Sequence, residues 1–196
     1  MTKEIEAKFL NVDIVNIRNR LVKLGAVLKI PMRMMRRVMI KTQEMANENA
    51  FLRIRDEGDK ITMTYKRVSA LTVDGSEEVE VIVNSFENAI EVMSASGLKY
   101  ETYQESKREE WLLRDVQVVI DEWPWVNPFV EIEGKNEYEV MEAARLLAFD
   151  WNDAVFGSVT SVYNDKYPHL EGTGVQISDI ARVEFGKEIP SILLSS

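Results

Sequence analysis

The sequence predicts an α+β fold in which an eight-stranded antiparallel β-barrel forms a tunnel and helices pack outside it. Charged and apolar residues alternate with a period of two in many segments, which is typical of strands. Only three segments carry apolar residues at the spacing of three and four that is typical of amphipathic helices. The strands are not interleaved with helices as they are in parallel sheets, and closure into a barrel removes their free edges.

The first half of the chain supplies most of the predicted strands. Residues 3–9 alternate charged and apolar side chains, which indicates a strand. Residues 13–24 predict a helix, because their apolar side chains lie three or four positions apart and Gly25 follows them. Further strands are predicted at residues 34–40, 50–55, 60–67 and 77–83.

The second half of the chain adds two helices and the remaining strands. Residues 86–96 predict a helix that Ser85 caps and Gly97 ends. Residues 137–149 have the spacing of a third amphipathic helix. Strands are predicted at residues 100–113, 117–122 and 129–133, and one last strand is predicted at residues 158–163.

The length of the chain predicts one domain with a tail. With 196 residues it can bury one substantial core, but it is too short for two ordinary domains. We expect residues 1–172 to form the domain and residues 173–196 to form a C-terminal tail. Two arrangements of this tail stay open: it packs across one mouth of the barrel, or it is loosely attached.

Composition narrows the classes of function. The formal net charge is −9, so the surface repels polyanions and we expect no nucleic-acid partner. The same excess of carboxylates suits Mg²⁺ or Mn²⁺, because these cations prefer oxygen ligands. The chain has no cysteine, which excludes disulfides and thiolate metal sites, and its single histidine, His169, excludes a multi-histidine zinc site.

The distribution of apolar residues along the chain predicts where in the cell the protein is located. No stretch approaches the ~20 apolar residues that a membrane helix needs, so we expect no membrane partner. The first ten residues carry charges where a signal peptide would have an apolar core. A cytoplasmic location is the expectation that fits both observations.

Charged residues recur on one face of several predicted strands. Glu–x–Glu or Arg–x–Arg pairs share a face at positions 4 and 6, 53 and 55, 78 and 80, and 131 and 133. One such pair alone is explained by a solvent-facing strand face. Their repetition favours the alternative of a hydrated barrel lumen, in which basic side chains bind phosphate oxygens and carboxylates hold a metal.

Seven short motifs resemble those of the CYTH superfamily, the triphosphate tunnel metalloenzymes, in the same order along the chain. Residues 4–8 match the N-terminal ExExK signature, and residues 51–55 are similar to the LRIR strand of the family. Residues 64–66 resemble its strand that ends in a phosphate-binding lysine, and residues 78–80 resemble its acidic strand. Arg108, Asp121 and residues 129–134 resemble its later basic strand, its aspartate strand and its closing ExE strand.

The resemblance implies a tunnel barrel that acts on triphosphate compounds with Mg²⁺ or Mn²⁺. It places metal ligands at Glu4, Glu6, Asp121, Glu131 and Glu133, and phosphate-binding side chains at Lys8, Arg53, Arg55, Lys66 and Arg108. Lys166 is a looser match to a final basic residue of the family. Arg37 either enters the lumen or pairs with surface acids. A second metal ion, or one of Glu78 and Glu80, is expected to position and activate water.

Three functions are compatible with this pattern, and hydrolysis is the one that we expect. The substrate would be a small-molecule triphosphate: inorganic triphosphate, ATP or thiamine triphosphate. One alternative is an adenylyl cyclase of class IV type, and the other is a non-catalytic module that binds polyphosphate or nucleotides. The second alternative is motivated by Ser106, which stands where the family often has a lysine. Whether the chain forms a homodimer stays open.

Overall fold

A computed structural model describes the backbone of residues 2–68 and 76–194, and the side chains of residues 5–68 and 77–194. Within these residues one sheet contains ten strand segments and five α-helices accompany it. The strands are β1 (Thr2–Glu4), β2 (Glu6–Phe9), β3 (Val27–Ile40), β4 (Ala50–Asp56), β5 (Ile61–Val68), β6 (Ser76–Val83), β7 (Tyr100–Leu113), β8 (Val116–Glu122), β9 (Phe129–Glu133) and β10 (Arg182–Val183). The helices are α1 (Ile14–Lys23), α2 (Gln43–Asn47), α3 (Phe86–Ala95), α4 (Glu137–Leu146) and α5 (Thr160–Lys166).

The sheet curls into the predicted antiparallel tunnel. Its strand order is β1-β6-β5-β4-β3-β7-β8-β9-β2, and every neighbouring pair on this path is antiparallel. The two end strands, β1 and β2, are separated in the chain only by Ile5. This N-terminal segment therefore connects β6 to β9, although the backbone pairings among the described residues form an open path and not a closed ring. Counting the segment as one strand gives eight, and the short β10 adds a parallel pairing to β7.

The apolar core lies between the sheet and the helices that cover its outer face. Ala7 and Phe9 of β2 pack against α1 and α4, whereas Glu6 and Lys8 point to the other face of the same strand. The helix α3 contributes Phe86 to a second cluster on β3 and β4. Most of the apolar core therefore packs outside the sheet, and the inner face carries most of the charged side chains together with a few apolar ones, such as Trp123 and Phe129.

The three helices expected from apolar spacing are present as α1, α3 and α4. Each begins at a side chain that accepts a hydrogen bond from a backbone N–H of the first turn. Asp13 accepts from Asn16, Ser85 accepts from Asn88, and Asn136 accepts from Glu139. None of the helices in the described residues is long and apolar enough to cross a membrane.

The strand predicted at residues 158–163 is wrong, because this segment forms the helix α5. Val159 and Val162 lie three positions apart and face the same apolar cluster, together with the adjacent Tyr163. The Tyr163 hydroxyl donates a hydrogen bond to the Pro124 carbonyl at 2.6 Å. These contacts hold one helical face against the barrel, and a strand would turn Val162 and Tyr163 to opposite sides.

The C-terminal tail packs on the barrel beside β7. Ile177, Ile180, Val183 and Leu193 are buried in a cluster that includes Trp123. The backbone N–H of Tyr103 donates to the Ala181 carbonyl at 3.0 Å, next to the parallel pairing of β10. Residues 176–178 and 157–160 also reach the interior of the tunnel.

Candidate active site

A cavity of about 290 Å³ lies inside the curled sheet. The register explains its charged lining, because side chains at directly opposed positions of neighbouring strands share a face. Twelve of the predicted site residues line it: Glu6, Lys8, Arg37, Arg53, Arg55, Lys66, Glu78, Glu80, Arg108, Asp121, Glu131 and Glu133. The sequence pattern of paired charges therefore describes the interior of the tunnel and not an outer face.

Lys8 sits between two carboxylates from adjacent strands. Its Nζ lies 2.9 Å from Glu6 Oε1 and 3.2 Å from Glu131 Oε2, and β2–β9 pairing sets Lys8 opposite Glu131. Burial opposes protonation of Lys8, but Glu131 and Glu6 outweigh it and raise the pKa of its ammonium. Burial likewise opposes ionisation of Glu131, but Lys8, Arg108 and Lys66 outweigh it and lower the pKa of this carboxyl. Lys8 and Glu131 are therefore both charged at neutral pH.

Arg108 and Asp121 form a two-pronged ion pair across β7 and β8. Arg108 Nε donates to Asp121 Oδ1 at 2.8 Å, and Nη2 donates to Oδ2 at 2.6 Å. Nη2 also lies 3.5 Å from Glu131 Oε1, which joins this pair to the carboxylates around Lys8. Burial works against the Arg108 charge, but Asp121 and Glu131 outweigh it and raise the pKa of the guanidinium.

Arg37 projects into the cavity and forms no direct ion pair with a carboxylate of the described residues, although the charge of Asp121 acts on it. Its Nε donates to Gln104 Oε1 at 2.8 Å, and its guanidinium carbon lies 4.3 Å from the centre of the Trp123 ring. Burial and the positive charges of Arg53, Arg55 and Arg108 lower the pKa of Arg37 well below its ordinary value. An anion in the cavity would relieve this unfavourable concentration of positive charge.

Arg53 and Glu80 meet through the hydroxyl of Thr64. Arg53 Nη2 donates to Thr64 Oγ1 at 3.3 Å, and Thr64 Oγ1 donates to Glu80 Oε2 at 2.8 Å. The direct distance from Arg53 Nη2 to Glu80 Oε2 is 3.9 Å. Pairing of β5 with both β4 and β6 places Thr64 between the two side chains.

Sequence reasoning missed Glu57, which organises the basic residues at another part of the cavity. Glu57 is 3% exposed, and its carboxylate pairs with Arg55 at 2.5 Å and with Arg33 at 3.1 Å. Burial favours the neutral acid, but Arg55 and Lys60 outweigh it and lower the pKa of Glu57. The residue lies just after β4 in a polar turn, where a glutamate is ordinarily exposed, so its type and position gave no signal.

Gln104 and Trp123 are two further cavity residues that the charge pattern did not identify. Gln104 is 1% exposed and accepts the hydrogen bond from Arg37. Trp123 packs in the apolar cluster under the tail and also covers Arg37. Neither belongs to a row of paired charges, so only the folded geometry brings them to the site.

Two predicted site residues do not join these twelve. Lys166 does not line the cavity: it lies exposed at the end of α5, because the segment that was expected to be a strand is helical. The backbone of Glu4 lies in β1, where it pairs with Ser76, but its side chain is outside the described part of the structure.

The carboxylates that line the cavity are chemically suited to bind a hard divalent cation. Glu6 and Glu131 already flank one cation, the Lys8 ammonium, and Glu133 lies opposite Glu6 on the paired strand. Their oxygens are the ligands that Mg²⁺ and Mn²⁺ prefer. Among the described side chains no three acidic, histidine or cysteine groups are gathered around one point.

Solved structures with the same fold come from several organisms. The PH1012 protein of Pyrococcus horikoshii OT3 is 24% identical, with 77% of this chain and 93% of that chain covered and a TM-score of 0.66. A provisionally assigned adenylate cyclase of Vibrio parahaemolyticus is 10% identical, with 82% and 97% covered and a TM-score of 0.70. A Hippeastrum protein described as having a dominant triphosphatase activity is 12% identical, with 90% and 99% covered and a TM-score of 0.58.

At these identities the likeness establishes the fold alone. A search of curated proteins found no match. The family model of the CYTH domain matches residues 2–153, which include every strand that lines the tunnel. The chain therefore belongs to the CYTH domain family.

Proposed function

We propose that the protein is a divalent-metal-dependent triphosphatase that hydrolyses inorganic triphosphate, ATP or thiamine triphosphate inside the tunnel. The observation that carries this proposal is Arg37, a guanidinium inside the cavity that has other arginines around it and forms no direct ion pair with a carboxylate of the described residues. A cluster of this kind needs an anion, and a phosphate chain brings several negative charges into a small volume.

The basic side chains would bind the phosphate chain. Arg37, Arg53 and Lys66 line the cavity from three neighbouring strands, so they can contact successive phosphates. Arg108 is held by Asp121 and contributes positive charge from β7, the strand next to β3. Phosphoryl transfer depends mainly on neutralising charge on the nonbridging oxygens, which a preorganised row of cations supplies without rearrangement.

The acidic side chains would hold Mg²⁺ or Mn²⁺. Glu6, Glu131 and Glu133 supply the nearest oxygens, and Glu4 precedes Glu6 by two residues in the same N-terminal segment. A bound ion would draw charge from the oxygens of the reacting phosphate. Lys8 would then be released from its two carboxylates and become available to a phosphate, and Asp121 would keep Arg108 in place.

Glu78 and Glu80 are the proposed residues for orienting the attacking water. Both line the cavity from β6, on the same side of the strand. Glu80 already accepts a hydrogen bond from Thr64, which fixes one carboxylate oxygen and leaves the other for water. An ionised carboxylate can accept a proton from water during attack on the terminal phosphate.

A substrate panel tests the proposal. The protein is incubated with inorganic triphosphate, ATP or thiamine triphosphate, each with Mg²⁺, with Mn²⁺ or with EDTA, and the products are identified. We expect release of phosphate from at least one substrate, only with a divalent ion. Cyclic AMP would assign the chain to the adenylyl cyclases, and saturable binding without turnover would make it a binding module.

Glu6→Gln tests the role of the acids. This substitution keeps the shape of the side chain but removes the charge that a divalent ion requires, so we expect turnover to be abolished while the protein stays folded by circular dichroism. Glu91→Gln is the matched control, since Glu91 is exposed on α3 and does not line the cavity. Unchanged turnover in Glu6→Gln would refute this role.

A further inference from the structure

A buried chain of hydrogen bonds runs from Arg37 to the backbone of the C-terminal tail. Arg37 Nε donates to Gln104 Oε1 at 2.8 Å, and Gln104 Nε2 donates to Thr102 Oγ1 at 3.4 Å. The Thr102 hydroxyl donates to the Ile180 carbonyl. Thr102 and Gln104 are 0% and 1% exposed, so water does not compete for these groups.

The direction of each hydrogen bond is fixed by chemistry. The Ile180 carbonyl can only accept, so it takes the single proton of the Thr102 hydroxyl. The Thr102 oxygen then accepts from the Gln104 amide nitrogen, which turns the amide oxygen toward Arg37. Since a guanidinium can only donate, the tail carbonyl sets the one orientation of Gln104 that holds Arg37.

The tail is anchored at this point of the barrel. β10 pairs with β7 at Tyr103 and Gln104, and the Tyr103 N–H donates to the Ala181 carbonyl. Ile180 also belongs to the apolar cluster that contains Trp123, whose ring covers the Arg37 guanidinium. Arg37 is therefore held on two sides by groups that contact the tail, and this tail lies beyond the residues matched by the family model.

We infer that Thr102 and Gln104 are positioning residues through which the tail, at Ile180, orients the Arg37 guanidinium for binding a triphosphate. The inference rests on the proposed function, because it assigns Arg37 to the phosphate site. Thr102 does not line the cavity, so it acts on the ligand only through Gln104 and Arg37. The tail is then part of the anion site and not only a cover of the barrel.

Thr102→Val tests the inference. Valine keeps the volume but removes the acceptor for Gln104 and the donor to Ile180, so the amide loses its fixed orientation. We expect the affinity for inorganic triphosphate, measured by calorimetry in EDTA to prevent turnover, to fall about fivefold. Thr102→Ser restores the hydroxyl and should bind within about twofold of the wild type.

Two further variants separate positioning from a general loss of packing. Thr62→Val is the matched control, because Thr62 is also 0% exposed in the sheet and its hydroxyl has no hydrogen-bond partner within the described part of the chain. It should keep wild-type affinity. In an Arg37→Gln background, Thr102→Val should cause no additional loss, since the residue that it positions is gone. Equal losses in both backgrounds would overturn the inference, as would wild-type affinity in Thr102→Val.

A measurement on the ligand-free protein distinguishes an error in this inference from an error in the proposed function. The Nε–H resonance of Arg37, assigned from its disappearance in Arg37→Gln, reports the hydrogen bond to Gln104. We expect Thr102→Val to shift this resonance and Thr62→Val to leave it in place. Absence of triphosphate binding by the wild type together with this shift would refute the proposed function alone. An unchanged resonance would refute the positioning role itself.

Discussion

At the scale of single residues, the Lys8 ammonium holds together two carboxylates that would otherwise repel each other. Glu6 and Glu131 lie 2.9 and 3.2 Å from its Nζ, and the Lys8 side chain is only 4% exposed. A buried charge is tolerated only when it is paired, so each of the three residues depends on the others. Lys8 therefore has a structural role before any ligand binds.

Lys8→Met should destabilise the fold. The substitution keeps the length of the side chain but leaves Glu6 and Glu131 without their counter-charge, and we expect the free energy of unfolding at neutral pH to fall by about 3–5 kcal/mol. Urea titration measures this loss. It should shrink toward acid pH, because protonation of Glu131 removes the need for a cation.

Lys29→Met is the control for this change. Lys29 is exposed on β3, so its replacement should alter the free energy of unfolding by less than about 0.5 kcal/mol. A Lys8→Met protein as stable as the wild type at neutral pH would contradict the structural role of the ammonium.

The position of a site residue could be predicted from the sequence where its strand alternates regularly between inward and outward side chains. Glu6 and Lys8, or Arg53 and Arg55, lie two apart in regular strands, so a common inward face was predictable. The inward position of Arg37 was not predictable, because Arg36 precedes it and only the register of the strand decides which of the two arginines enters the tunnel. The structure places Arg37 inside, whereas Arg36 pairs outside with Asp56 and Glu87.

At the scale of elements, the tail behaves as a part of the packed core. Leu193 is 2% exposed in the cluster beneath Trp123, although it lies only a few residues from the end of the chain. The neighbouring Leu194 is 52% exposed. Two adjacent leucines in the same segment thus have opposite environments, which allows a direct comparison.

Leu193→Ala should lower the free energy of unfolding by about 2–4 kcal/mol, because it leaves a cavity in a well-packed cluster. Leu194→Ala should change it by less than about 0.5 kcal/mol. Thermal and urea unfolding of the two variants measure the difference. Equal small effects would mean that the tail does not contribute to the cooperative core in solution.

The elements that the sequence predicted correctly are those whose apolar residues keep one regular spacing along the whole element. Helices α1, α3 and α4 have apolar residues at helical spacing, and their predictions are confirmed. β3 begins at Val27, seven residues before the predicted start at residue 34. Its register with β7 shifts between Leu28 and Ile30 and again between Ile30 and Arg33, and such irregularities remove the alternation that a strand prediction needs.

At the scale of the whole molecule, the tunnel is stabilised by charges that neutralise one another across strands. Burial alone would raise the pKa of Glu131 and Glu57, but the surrounding lysine and arginine side chains reverse this and lower it. Burial alone would lower the pKa of Lys8, but its two carboxylates raise it. The folded state therefore prefers these groups charged, and this preference makes stability depend on pH.

The free energy of unfolding should fall steeply in acid. A carboxyl whose pKa is lowered by folding stabilises the protein above its unfolded value, 4.5 for glutamate, and this contribution is lost as the pH falls toward the folded pKa. Lys8 has the opposite sign: its contribution is complete below its unfolded value of 10.5 and is lost only as the pH rises above that value. Stability should therefore be nearly constant between about pH 6 and about pH 9, as measured by urea unfolding across the range.

The variant Glu57→Gln tests how much of the loss of stability in acid comes from one residue. A glutamine cannot take up a proton, so the variant should be less stable than the wild type at neutral pH and should lose less of its stability between about pH 5 and about pH 3. Glu91→Gln, at an exposed position of α3, should keep the slope of the wild type. If Glu57→Gln had the same acid slope as the wild type, the buried contacts of Glu57 with Arg55 and Arg33 would not be a source of the acid sensitivity. The tunnel would then owe that sensitivity to the carboxylates around Lys8.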